Sequence, residues 1–351
     1  MMPVEWPIAA VAADQPVEPA RAAGRDRLPI VRRDLFLDDR ARLTEQERAL
    51  MSAMLGALVD QVADEIRVTL PPDILSAAEA DREHIVARLW KGGALDRPAL
   101  ILLLLRRADE QLIAVACRGS RAPSDGGTVE RLVGDSDGAI ASAAMALAVA
   151  RGRRRDRFGR LGLEFDDVPR DEAICLAYLV AGAMRRGIAG AMVAVDEALA
   201  AAAERLLDRH DESRRVEMRA LGLAQAIHAG RGADDQLIAA LAADGDAGLL
   251  AALCAVRARI APETAWMLLV NDGARDAMLL ARLAGLGRPA AAAMIAALAE
   301  PLLWGEPGEA IARFDTPTQS DIEAARRWWG LPPAYRDGLD LTGGGNGQPL
   351  D

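Results

Sequence analysis

The chain has 351 residues, of which 51% are hydrophobic and only 3% aromatic. It is long enough to bury a sizeable core as two ordinary domains or as one elongated repeat array. Its apolar content is carried by Ala, Leu, Val, Ile and Met, and Ala and Leu lose little on entering a helix, so helices are favoured over the aromatic and β-branched composition that strands select. The formal net charge of −10 argues against general affinity for nucleic acid or anionic membranes, because basic charge dominates both attractions.

In chain order, residues 1–28 mix Ala, Pro, Arg and Asp without a sustained period and read as a flexible arm. Met1–Ala20 lacks the basic start, apolar centre and small-residue cleavage site of a secretory signal. The first helix is expected after Thr44, which with Glu47 has capping-box spacing. Leu50, Met54, Leu58, Val62 and Ile66 follow at intervals of four, with Met51 and Leu55 beside them, until Pro71-Pro72. Further helices are expected over Ile74–Trp90, Pro98–Arg107 and Glu110–Cys117. The apolar run Ala99–Leu105 is far shorter than the about 20 residues needed to cross a bilayer. Membrane partners are therefore not expected, and residence is read as cytoplasmic.

Gly119–Asp137 is the most loop-like internal stretch, interrupted by a short helix at Thr128–Val133. Asp135-Ser136-Asp137-Gly138 has the alternating oxygens of a calcium loop but not its later bidentate glutamate, and reads as a turn with a helix N-cap. A helix over Ala139–Arg151 follows. Asp166, Asp167, Asp171 and Glu172 lie where acidic side chains favour the start of a helix over Asp171–Arg186. From there to about Leu303 nearly everything reads as helix punctuated by Gly, Asp or Pro. Leu249-Leu250, Leu253 and Val256 recur thirty positions later as Leu279-Leu280, Leu283 and Leu286, with Pro262 and Pro289 opening the next helix in each copy. A unit of that length cannot bury both faces alone and stacks on its neighbours. The expected fold is all-α, with stacked helix pairs in a HEAT-like α-solenoid or an irregular helical-repeat array. The expected divisions are a helical domain over 29–160, a helical-repeat domain over 161–330 and a flexible tail over 331–351.

Arg33-Asp34-Leu35-Phe36-Leu37, followed by Leu43-Thr44-Glu45-Gln46-Glu47-Arg48-Ala49-Leu50-Met51, resembles the opening of the alphaproteobacterial DUF2336 family, a domain of unknown function. Gln236–Leu241, Gly245-Asp246, Leu249–Val256, Pro262, Met267-Leu268-Leu269 and Asp272-Gly273 are similar to that family's C-terminal helical portion, although Gly248-Leu249 stands where relatives usually carry an aromatic residue. The resemblance spans roughly residues 30–300. It implies helical repeats of HEAT-like character and a regulatory or scaffolding role, with no catalytic residues to carry over.

The residues themselves offer no catalytic constellation. His84, His210 and His228 are separated, and neither CxxC nor HExxH occurs. There is no GxSxG elbow or dinucleotide fingerprint, and Gly343-Gly344-Gly345-Asn346-Gly347 has no helix after it to hold a phosphate. Cys117, Cys175 and Cys254 are odd in number and set in apolar helices, and read as reduced core residues. No metal, cofactor or enzymatic activity is expected. Six arginines, Arg151, Arg153, Arg154, Arg155, Arg157 and Arg160, fall within ten residues of this acidic chain. They read either as a grip on phosphates or carboxylates of a partner, or as charges that favour a helix C-terminus and bridge to the nearby acidic turn. Trp328-Trp329 gives a second pair of readings, because adjacent rings cannot share one helix face. Trp329 aligns with Ile322 and Ala325 to cap the stack, while Trp328 is a candidate contact. The expected function is a non-catalytic interaction or regulatory scaffold with a protein partner. The rival is a nucleic-acid-binding helical-repeat protein using Arg151–Arg160, disfavoured by the net charge.

Overall fold

The computed structural model describes residues 43–341 except 73, 76–83, 120–126, 156–158, 187, 189–191, 231, 233, 271–272 and 305–306. The chain divides into a unit of residues 1–46 and a unit of residues 47–351. The expected arm over 1–28, the Arg33–Leu37 segment and the glycine run Gly343–Gly347 lie outside the described residues. Among the described residues the chain is all-helical. The helices are α1 (Glu45–Val68), α2 (Ile85–Lys91), α3 (Pro98–Gly119), α4 (Thr128–Val133), α5 (Gly138–Arg153), α6 (Arg170–Arg185), α7 (Met192–Asp208), α8 (Val216–Gly230), α9 (Asp235–Asp244), α10 (Ala247–Ala258), α11 (Pro262–Val270), α12 (Ala274–Leu283), α13 (Arg288–Ala299), α14 (Pro307–Ala312), α15 (Gln319–Trp329) and α16 (Pro333–Leu341). Single 3-10 turns occur at Phe165–Asp167 and Glu212–Arg214. No described helix is long and apolar enough to cross a membrane.

The apolar side chains gather into two cores. One holds the α1 stripe from Met51 to Ile66, the first half of α3 to Ala108, Leu163–Val168, and the inner faces of α6 and α7 as far as Leu207. The other holds Ile113 and Cys117 from the second half of α3, then α4, α5 and the inner faces of α8–α13 and α15. Sequence order and core membership therefore interleave, and the expected division at 160/161 does not separate the cores. The described chain passes between them inside α3, again between α5 and Leu163, and a third time between α7 and α8.

Two elements differ from expectation for identifiable reasons. Pro98–Gly119 is one helix instead of two, because neither Ala108 nor Asp109 breaks a helix, and Glu110 pairs with Arg106 and Arg107 at i−4 and i−3 across the supposed gap. The C-terminal segment is not all tail: α16 carries Arg336, which is buried, donates to Thr264 Oγ1 at 2.8 Å and stacks 4.6 Å from the Trp329 ring. Of the expected helix Ile74–Trp90, Ile74-Leu75 and the stretch from Ile85 are helical, and 76–83 lie outside the described residues.

In the C-terminal half α8 packs against both α5 and α10, α10 against α11 and α12, and α12 against α15. The first helices of the two sequence copies thus lie side by side. The second helices take different places, since α11 lies on α10 and α12 whereas α13 lies mainly on α9. The same stop signal recurs at three helix ends. The amides of Ile260, Leu286 and Trp304 reach back to the carbonyls of Ala255, Ala281 and Ala299, and each of the three side chains is buried. The turn between α9 and α10 uses Gly245 at φ 68°, where a Cβ would stand 2.8 Å from both the Ile113 carbonyl oxygen and the Cys117 Cβ. Only glycine permits that conformation and that approach to α3 together.

Gly245→Ala is expected to lower unfolding free energy by about 2–4 kcal/mol through backbone strain and overpacking. Gly182→Ala, in the exposed face of α6 with open space around its Cα, is expected to be neutral or stabilising by up to about 1 kcal/mol. Urea denaturation of the two variants checks the contrast. Asp109 supplies a pH test. Burial and the neighbouring Glu47 and Glu110 push its carboxyl up to about 7. The folded state therefore holds its proton to higher pH than the unfolded chain, whose aspartates titrate near 3.9, and this group makes stability rise as pH falls from about 7 to about 4. Thermal melts of Asp109→Asn should show a higher Tm than the parent at pH 8, with the difference shrinking steadily toward pH 4.

Candidate functional site

The junction between the two cores is ionic. Arg107 stands on α3 one turn from Leu103 and Leu104, at a core position, and its side chain is 2% exposed. It donates to Glu110 Oε2 at 2.6 Å and to Glu217 Oε2 at 2.9 Å, and lies 3.6 Å from Asp167 Oδ1. Asp167, fully buried, accepts two parallel bonds from Arg154 at 2.7 and 2.8 Å and the Glu164 amide at 3.0 Å. Arg154 also donates to the Ala150 and Arg214 carbonyls, at 2.7 and 3.1 Å. Arg106 completes the set, 3.2 Å from Glu110 and 3.6 Å from Glu217, with its guanidinium 4.6 Å from the Trp266 ring. Burial disfavours the charge on Arg107, but Glu217, Glu110 and Asp167 outweigh it and hold the guanidinium above its ordinary range. Burial likewise opposes the charge on Glu217, and Arg107, Arg106 and Arg215 hold its carboxyl below the usual range. Both charges persist because each has its counterion within the same enclosure.

A cleft of about 610 Å³ opens above this network, between α3, the start of α4, the end of α5 and the α9–α10 turn. Its floor is made of paired ions. Arg151 forks onto Asp246 at 2.7 and 2.6 Å, while the same aspartate caps α10 by accepting the Leu249 amide at 3.1 Å. The α9–α10 turn is pressed onto α3 by Gly245 and by Gly248, whose Cβ would stand 3.0 Å from Glu110 Oε1. A side chain at Gly248 would displace the Glu110 carboxylate. On the α4 wall Asp244 accepts the Thr128 amide at 2.6 Å, and Glu130 is the exposed carboxylate. Arg118 and Arg155 also line the cleft, both exposed and neither in an ion pair with a described residue. Neutral acceptors orient them. Arg118 Nε donates to the Ala114 carbonyl at 2.9 Å, and Arg155 donates to the Gly159 carbonyl at 3.0 Å and to Gln111 Oε1 at 3.3 Å. Partial burial, then repulsion from Arg118 and Arg151, lowers the Arg155 pKa from its ordinary value.

The arginine run is therefore divided. Arg154 is withdrawn from any partner surface, because it is buried and committed to Asp167, and Arg151 is half-buried and neutralised by Asp246. The bridge to the acidic turn expected of this run is made by Arg154, with Glu164 also within 3.3 Å. Arg153 is exposed but faces away from the cleft lining, Arg160 is exposed and engaged, and Arg157 lies outside the described residues. Trp329 is buried with Ile322 and Ala325, and Trp328 is half-buried against the same core. Cys117 and Cys254 are buried free thiols and Cys175 is half-buried. Asp137 caps α5 by accepting the Ala139 amide, and His210 Nε2 lies 2.9 Å from the Val168 carbonyl, its ring edge-on to Phe165. Sequence reasoning passed over Arg118, Gln111 and the Arg106-Arg107 pair. For Arg107 a signal existed, since a guanidinium three residues after Leu104 falls on the apolar phase of α3.

Arg154→Met is expected to cost about 3–5 kcal/mol, because it leaves Asp167 charged and buried without its fork. Arg154→Lys should recover only part of the loss, an ammonium being unable to make two parallel bonds. Denaturant titration of both variants against Arg153→Met, expected to be near neutral, checks the assignment. No family model, curated protein or solved structure matches the chain.

Proposed function

We propose that the chain is a cytoplasmic, non-catalytic interaction or regulatory scaffold, a HEAT-like array of helices that receives an acidic group of a protein partner in the cleft between α3, α5 and the α9–α10 turn. One observation carries this reading: Arg118 and Arg155 stand exposed at the cleft, held by neutral acceptors and in no ion pair among the described residues, above a floor whose own ions are paired. Guanidiniums oriented without being neutralised are prepared to bind a carboxylate or phosphate at little reorganisation cost. The cleft volume lies in the range of about 300–1,000 Å³ typical of ligand sites. The resemblance to the DUF2336 family points the same way. A nucleic-acid role is less well supported, because Arg151 and Arg154 are already neutralised and the α4 wall carries Glu130 and Asp244.

Affinity capture of the tagged chain from its native cytoplasm, with the Arg118→Glu/Arg155→Glu variant alongside and a nuclease-treated half of each sample, tests the reading. A protein partner that survives nuclease and is lost from the variant is the expected result. Partners captured equally by parent and variant, or only nucleic acid recovered, would overturn it. Both side chains are exposed, so the variant should melt within about 2 °C of the parent, as surface changes usually do.

A further inference from the structure

The charges of the cleft specify which anion it takes. Arg107, Arg151 and Arg154 are each forked or paired to carboxylates, so their donors are already committed. Arg118 and Arg155 remain, two exposed guanidiniums close enough to repel each other and without an ion-pair partner among the described residues. A single carboxylate balances one of them. A phosphate monoester carries about −1.5 to −2 at neutral pH and three acceptor oxygens, and balances both. Glu130 and Asp244 line the same cleft and oppose a polyphosphate or nucleic-acid backbone running through it.

We propose that the mouth of this cleft is a phosphoryl-binding site, in which Arg118 and Arg155 clamp the terminal oxygens of one phosphate monoester. The free guanidinium nitrogens of Arg118 supply one arm. Arg155, steadied by Gly159 and Gln111, supplies the other. Arg151 lies behind them with its charge cancelled by Asp246, so it repels no incoming cationic flank and adds no second anion site. The inference rests on the cleft being the interaction site and adds the chemistry of what enters it.

Titration of the full-length chain with phenyl phosphate and with benzoate, followed through the arginine Nε–H signals in nitrogen-15 NMR, separates dianion from monoanion. Phenyl phosphate should bind about tenfold or more tightly than benzoate, as expected of charge-assisted forked bonds. Arg118→Gln and Arg155→Gln should each weaken it by a similar factor, and Arg153→Gln should leave it unchanged. Equal binding of benzoate, indifference to the Arg118 and Arg155 variants, or a DNA duplex that binds more tightly than phenyl phosphate through the same two arginines would each overturn the proposal. A phosphoserine-bearing degenerate peptide pool and adenosine monophosphate, run in parallel, identify the carrier: whichever exceeds phenyl phosphate in affinity supplies the rest of the ligand. Phosphatase treatment of the cell extract separates this proposal from the scaffold reading. A partner still captured through Arg118 and Arg155 after dephosphorylation would leave the scaffold standing and remove the phosphoryl site, whereas phenyl phosphate binding beside capture that ignores both arginines would do the reverse.

Discussion

The contact on which the rest of this structure depends is the buried chain of ions Glu217–Arg107–Asp167–Arg154, closed on one side by Glu110 and Arg106. Its members come from α3, the α5 terminus, the turn before α6 and the first turn of α8. Those are the places where the chain passes from one apolar core to the other. An ion pair of this kind adds little net stability over a well-packed apolar substitute, because the desolvation of each ion offsets most of the attraction. Its effect is on which arrangements are allowed. A register in which Arg107 met no acid, or Asp167 no guanidinium, would leave a charge in the interior at a cost of several kcal/mol, so three separate crossings are tied to one geometry.

That geometry also decides the electrostatics of the cleft above it. Because the deep arginines are consumed by Glu110, Glu217 and Asp167, and Arg151 by Asp246, the five guanidiniums lining the cavity do not act as one basic patch. The two without an ion-pair partner among the described residues, Arg118 and Arg155, share the opening with the exposed Glu130. Asp246 links the two levels: it caps α10, neutralises Arg151 and sits in a turn that Gly245 allows to touch α3. Fold and site therefore share a residue whose sequence signature, Gly-Asp before an apolar helix, is an ordinary helix start.

Much of the fold was legible because it follows from local rules. The α1 stripe at four-residue spacing, the Asp137 cap, the short helix Thr128–Val133 and the apolar face of α15 all depend on neighbours within a turn or two, and all appear where the residues indicate. What was not legible is long-range. Nothing near Ala108 announces that α3 leaves one core and enters another, nothing in 331–341 shows that Arg336 will reach Thr264, and the thirty-residue similarity of α10 and α12 does not reveal that α13 lies on α9 and not beside α11. The site was half legible. The arginine run drew attention to the right end of α5, but the cation facing it, Arg118, lies more than thirty residues earlier on another helix.

The run itself shows why composition alone misassigns such a cluster. Successive residues on a helix point about 100° apart, so side chains adjacent in sequence meet different surroundings. Arg151 faces the α10 terminus and finds Asp246. Arg153 is turned to solvent. Arg154 ends α5 and folds inward, holding its own Ala150 carbonyl while reaching Asp167. With the helix over, Arg155 leaves its axis in an extended pairing with Leu161 and returns to the cleft beside Gln111. Within five positions one residue type thus pairs with a helix cap, bridges two cores, faces water and stands at the cleft without an ion pair among the described residues, and only the last of these leaves an oriented charge for a ligand to meet.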